Sequence, residues 1–172
     1  PSGTSSGLAT AAATATTGTI VGFVFAYALT RTPMPFKGFF RQTVTFPIIS
    51  PPFVVALSAI LLFGRAGSLS PIIEKIIGEY SIYGLGGLVF VETIAYGPTA
   101  FLVLYGVLQA IDPALEEASM DLGASRARVF ATITLPLALP GIASAWLLVF
   151  AWYRQRRERR QVEQEGVTAD GR

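Results

Sequence analysis

The sequence has no cysteine and no histidine, and only 14% of its 172 residues are charged. The first two absences exclude thiolate nucleophiles, imidazole general bases, Ser-His-Asp catalysis, disulfides and Cys/His zinc sites. The shortage of charge excludes an ordinary soluble composition, which carries about 25% charged residues. What charge there is lies unevenly: no Asp, Glu, Lys or Arg occurs in residues 1–30, 42–64, 93–111 or 129–153. A phosphate-binding loop is also missing, because Gly84-Leu85-Gly86-Gly87 lacks the Lys-Ser/Thr that such a loop needs. The chain is therefore not expected to hydrolyse ATP or to bind a cofactor of its own. Neither a Met nor a basic stretch opens the sequence at Pro1; no signal peptide is read there, and the start reads as the interior of a longer protein.

What is present is apolar: 52% hydrophobic residues and a mean hydropathy of +0.54. A helix crossing ~30 Å of hydrocarbon at about 1.5 Å per residue needs roughly 20 apolar residues. The four charge-free windows approach or exceed that length. The core helices of a large soluble protein would each show a polar face, and these windows show none. The expected fold is all-α, a polytopic helical membrane protein with spans at about 8–30, 43–63, 88–110 and 137–153, and the lipid bilayer as its surroundings.

The first span carries Gly18-x3-Gly22, two small residues on one face that would let a neighbouring helix approach closely. In the second, Pro47, Pro51 and Pro52 remove backbone donors and should kink or break the helix. Broken helices at membrane depth occur where protein or a water-filled cavity surrounds them, which makes Pro51 and Pro52 pathway candidates. Ser70-Pro71 opens a short amphipathic piece, with Ile72, Ile73, Ile76 and Ile77 opposite Glu74, Lys75 and Glu79, suited to the interface plane. Glu92 is the one ionisable residue well inside the third apolar stretch. It is either a pathway residue or a group near the outer interface that reaches water. Tyr96 and Tyr105 are read as packing or anchoring residues.

Orientation follows from the basic residues. Alternate connectors place Arg31, Lys37, Arg41, Arg126 and Arg128 on one side, and Arg65 and Lys75 on the other. The richer side is cytoplasmic by the positive-inside rule, and it holds residues 112–136. The segment 154–172 breaks the rule. It carries six more arginines, and four crossings put it outside. Residues 154–172 are accordingly expected to be a disordered or non-native basic tail on a truncated or frameshifted product, or else a cytoplasmic tail behind a re-entrant last helix. The net charge of +2 comes largely from this tail, and no nucleic-acid partner is expected.

The polar stretch between the last two spans is the most specific part of the chain. Asp112 is a good N-cap, with Pro113 at the first helical position. Glu116 and Glu117 fall in the first turn, where the helix dipole favours negative charge. Leu115, Ala118 and Leu122 share a face. Gly123 suits the left-handed residue that ends a helix, and Ser125 can cap a second helix bearing Arg126 and Arg128. Within this stretch Glu117-Ala118-Ser119, then Gly123, then Ile133-x-Leu135-Pro136 follow the spacing EAA-x3-G-x9-I-x-L-P.

That pattern resembles the cytoplasmic coupling loop of the permease subunits of binding-protein-dependent ABC importers, with Ser119 in place of the usual Ala. The resemblance covers about Leu8 to Phe150. Phe46-Pro47-Ile48-Ile49-Ser50-Pro51-Pro52-Phe53-Val54-Val55-Ala56-Leu57, Leu62-Phe63-Gly64-Arg65 and Ile82-Tyr83-Gly84-Leu85 look most like permeases for ferric iron; those for polyamines, sulfate and aminoethylphosphonate are similar.

The resemblance implies a type I (MetI-like) permease domain over residues 1–153, incomplete at its distal end. It implies coupling residues Glu116, Glu117, Ala118, Ser119, Asp121, Gly123, Ala124, Ile133, Leu135 and Pro136. Its implied partners are a second permease half, identical or different, two ATPase subunits that carry ATP and Mg, and a periplasmic or lipid-anchored substrate-binding protein. The place is the bacterial inner membrane. A channel or secondary transporter would instead predict intramembrane charge pairs or inverted repeats, and neither is found. An inactive permease remnant is the remaining alternative.

Overall fold

Apolar runs in a bilayer must satisfy their backbone groups internally, so they fold as helices. The computed structural model describes residues 2–33, 35–49, 52–64, 67–71, 75 and 84–170. Its helices are α1 (Ser2–Arg31), α2 (Lys37–Ile49), α3 (Pro52–Phe63), α4 (Leu85–Ala110), α5 (Pro113–Asp121), α6 (Arg126–Val129), a π-helical turn at Phe130–Thr134 and α7 (Leu135–Asp170). No strand occurs among the described residues.

α1, α4 and α7 form the core. Ala11, Ala15 and Ala26 of α1, Phe101, Leu104 and Leu108 of α4, and Ala138, Ala145 and Val149 of α7 belong to one buried apolar cluster. The closest approach is at the two glycines of α1. A Cβ at Gly22 would lie 2.8 Å from the Phe101 nitrogen, and one at Gly18 would lie 3.8 Å from the Gly97 Cα. The small-x3-small face therefore rests on the backbone of α4. Ile20, Val24, Leu102 and Leu147 point outward, the apolar surface that lipid or another helix covers.

The contacts fix the helix directions. Thr14 meets Glu92, Gly22 meets Phe101 and Arg31 meets Ile111, so α1 and α4 run parallel. α7 runs the other way, because Phe130 ahead of it lies by Tyr27 while its Trp152 lies by Tyr96. Two parallel helices need a return path between them. α2 begins just past Arg31, and Phe63 at the end of α3 stacks edge-on against Phe90 near the start of α4, with ring centroids 5.6 Å apart. End to end, the 13 and 12 residues of α2 and α3 reach about 37 Å, close to the length of α4.

Among the described residues, three stretches are long and apolar enough to cross a membrane, Gly7–Arg31, Leu85–Ala110 and Arg126–Trp152, beside the shorter apolar helix Val54–Phe63. Across the second expected span, 43–63, the described helices are α2, which starts six residues earlier at Lys37, and α3 from Pro52, with Ser50 and Pro51 between them outside the described residues. The last span, expected to be short at 137–153, is extended at its start by α6 and the π turn.

Past the last span the backbone remains helical to Asp170; Arg, Gln and Glu, which dominate residues 154–165, are strong helix formers. Ser50, Pro51, Arg65 and the amphipathic piece, Lys75 apart, lie outside the described residues beyond Pro71.

Gly22→Ala should push α1 off α4 and destabilise the bundle by about 1–3 kcal/mol. Gly38→Ala, whose Cβ meets nothing within 4 Å, should instead stabilise by about 0.4–1 kcal/mol; unfolding in detergent measures both. The helix directions put α5 and the end of α7 on opposite faces. With single cysteines, Ser119→Cys should be protected from a membrane-impermeant thiol reagent in intact cells, and Gln161→Cys should be labelled.

Candidate functional site

At one end of the bundle, α5 stands clear of the core with no buried residue. Its ends are made by local chemistry. Asp112 Oδ1 accepts a hydrogen bond from the Ala114 N–H at 2.9 Å, and Pro113 follows the cap. At the other end the Ala124 N–H donates to Ser119 O (3.1 Å) and the Gly123 N–H to Met120 O (2.9 Å). These are the two bonds of a Schellman motif. Gly123 has φ +88°, a left-handed conformation that L side chains resist. Ser125 Oγ then accepts from the Arg128 N–H at 3.4 Å and starts α6.

A polar node joins α5 to the bundle. Arg31 Nε donates to Glu116 Oε1 at 2.9 Å, with the two side chains only 11% and 13% exposed. Arg31 Nη2 donates to Ile111 O at 3.2 Å. Thr134 Oγ1 donates to the same Glu116 oxygen at 2.8 Å. Thr134 ends the π turn, in which the Leu135 N–H reaches back to Phe130 O. The Phe130 ring packs against Tyr27, 5.1 Å between centroids, and against Phe23 at 6.2 Å.

Residues 7–153 match the family described as binding-protein-dependent transport system inner membrane component. The chain belongs to this family. Among its relatives is the ferric transport system permease protein FbpB of Actinobacillus pleuropneumoniae, 34% identical over 135 residues, which are 77% of this chain and 20% of that protein. The molybdenum transport system permease protein ModB of Escherichia coli K12 is 34% identical over 130 residues, 76% of this chain and 57% of that one. The putrescine transport system permease protein PotI of the same strain is 33% identical over 145 residues, 83% and 49% of the two chains. This chain thus spans about a fifth of the ferric relative and about half of the other two. It is an inner-membrane protein.

Within the matched region, Glu117, Ala118 and Asp121 are exposed on α5, while Ser119 and Ala124 are half-buried. Of the apolar face, Leu115 and Leu122 are 52% and 91% exposed. Ile133 sits within the π turn, and Leu135 and Pro136 open α7. Glu116, in the first turn, points toward Arg31, while the exposed Glu117 lies one residue on, so the two glutamates face different surroundings. Glu92 stands apart from the loop, near the opposite end of the bundle, where it accepts a hydrogen bond from Thr14 Oγ1 at 2.9 Å. Beside it the Thr17 and Thr93 hydroxyls are 2.7 Å apart. Pro52 opens α3, away from the loop. Tyr96 is buried against Trp152, and the Tyr105 hydroxyl accepts from Gln109 Nε2 at 3.0 Å.

Sequence reasoning missed Arg31 and Thr134 as partners of Glu116. The available signal was weak: opposite charges flanking the ends of two spans that emerge on the same side.

Proposed function

We propose that this chain is a permease domain of an ABC importer, that it lines part of the translocation pathway, and that α5 receives the motion of a cytoplasmic ATPase. The observation that carries this reading is α5 itself, a capped helix with no buried residue, set between two spans and bearing the Glu117-Ala118-Ser119 and Gly123 spacing. A short helix presenting Leu115, Ala118 and Leu122 on one exposed face is the kind of element that seats in a partner's groove as one body. Glu117, Ala118, Ser119, Asp121, Gly123 and Ala124 are its contact and turn residues; Ile133, Leu135 and Pro136 lead the motion into α7. ATP and Mg belong to the ATPase partner. A second permease half and a periplasmic or lipid-anchored binding protein complete the assembly.

Ferric iron is the substrate class we favour, on the resemblance of residues 46–57 to ferric permeases and on the ferric relatives themselves. The molybdenum and putrescine relatives support an alternative reading. Glu92, Pro51 and Pro52 are the residues proposed for the pathway. Glu92 sits among Thr14, Thr17 and Thr93, hydroxyls that would accompany a charge held inside the bundle.

Gly123→Pro removes the N–H that bonds Met120 O and forces φ to about −65°. It should abolish capture of the ATPase subunit without preventing membrane insertion; capture at the wild-type level would refute the coupling role of this turn. Uptake by cells expressing the whole transporter should follow ferric iron and not molybdate or putrescine; a reversed preference would remove the iron assignment, and no uptake of any would favour an inactive remnant.

A further inference from the structure

A nine-residue helix is too short to be stable alone in water, and α5 has no buried residue to hold it against the bundle. What holds its first turn is polar. The Arg31 guanidinium, at the end of α1, divides its donors between Glu116 Oε1 and the Ile111 carbonyl at the end of α4. The Thr134 hydroxyl, at the start of the last span, donates to that same Oε1. Two side chains thus connect the ends of three core helices to one carboxylate of α5. Charges this far removed from water repay their desolvation poorly as stability, and their contribution is to fix a geometry. Glu116 lies outside the Glu117-Ala118-Ser119 tripeptide, so the motif alone assigns Arg31 and Thr134 nothing.

We infer that Arg31 and Thr134 are positioning residues that set the angle of α5 on the bundle through Glu116. A displacement of α5 is then passed at once to the ends of α1, α4 and α7. Without the node α5 samples many orientations, of which few fit a partner's groove. The inference rests on the permease reading for its biological meaning, but not for its geometry.

The test uses the full chain reconstituted in lipid, with a nitroxide on Ser119→Cys for the mobility readout and the unlabelled chain for the affinity readout. Arg31→Met and, separately, Thr134→Val should increase the label's mobility while insertion and helix content stay at wild-type levels. Each should weaken apparent affinity for the purified cognate ATPase by on the order of tenfold, as when a competent orientation is populated about a tenth of the time. Thr134→Ser, which keeps the hydroxyl, should restore both readouts. Thr16→Val, which removes the Trp146 Nε1 hydrogen bond between α1 and α7 together with the Thr16 hydroxyl's bond to Ala12 O within α1, should change neither.

An unchanged label spectrum and affinity in Arg31→Met would overturn the inference. So would equal effects from Thr134→Ser and Thr134→Val. If the wild-type chain binds no ATPase while the label still responds to Arg31→Met, the node stands and the permease reading fails.

Discussion

The contact of α1 with the backbone of α4 at Gly22 is what the rest of the bundle depends on. Lipid offers no hydrophobic drive for two apolar helices to pair, so close packing and interhelical hydrogen bonds must supply it. With no side chain at Gly18 or Gly22, α1 lies against Gly97, Ala100 and Phe101. At that separation short hydroxyls can bridge the gap, as Thr14 does to Glu92 and Thr17 to Thr93. α7 closes the third side by a similar device. Gly141 faces the Val107 side chain so closely that a Cβ there would lie 2.6 Å from it.

The parallel course of α1 and α4 decides where the polar groups gather. Both helices end on the same face, so Arg31 arrives beside the last carbonyl of α4. α7 runs antiparallel and therefore starts on that face, which delivers Thr134. The π turn contributes to this placement. One extra residue per turn shifts the register of everything after it, and here it accompanies a Thr134 that is buried and aimed at Glu116 while Phe130 stays packed on Tyr27 and Phe23. The node is a consequence of helix direction and register.

Much of this was legible in the residues. Apolar windows gave the first and third spans to within a few residues, because lipid leaves the backbone no other solution. Asp112, Pro113, Gly123 and Ser125 marked the ends of α5 and the start of α6, because capping is chemistry between residues a few positions apart. The Gly18/Gly22 face was visible as a face, although its partner was not. What could not be read were the long-range pairings. Arg31 and Glu116 are 85 residues apart, and no periodicity links them. The π turn leaves no mark in an apolar sequence such as Phe130-Ala131-Thr132-Ile133-Thr134. The helix that continues through 154–165 is read from Arg, Gln and Glu, which favour helix when a helix already precedes them.

The same tail sets two rules against each other. Counting basic residues puts 154–160 on the side of Arg126 and Arg128. The packing puts it on the other, since Trp152 meets Tyr96 in the first half of α4 while Phe130 meets Tyr27 near the end of α1. A re-entrant course would need a reversal between those two contacts. The irregular points there are the π turn and Pro140, and the helix continues through both. Buried Ala138, Ala145 and Val149 hold one face of α7 against the core along this length, so a reversal would expose them and empty the groove beside Val107. The basic-residue rule weighs short flanking segments during insertion, whereas these contacts form along the whole span. Helix direction is therefore the stronger constraint on where Arg154 emerges.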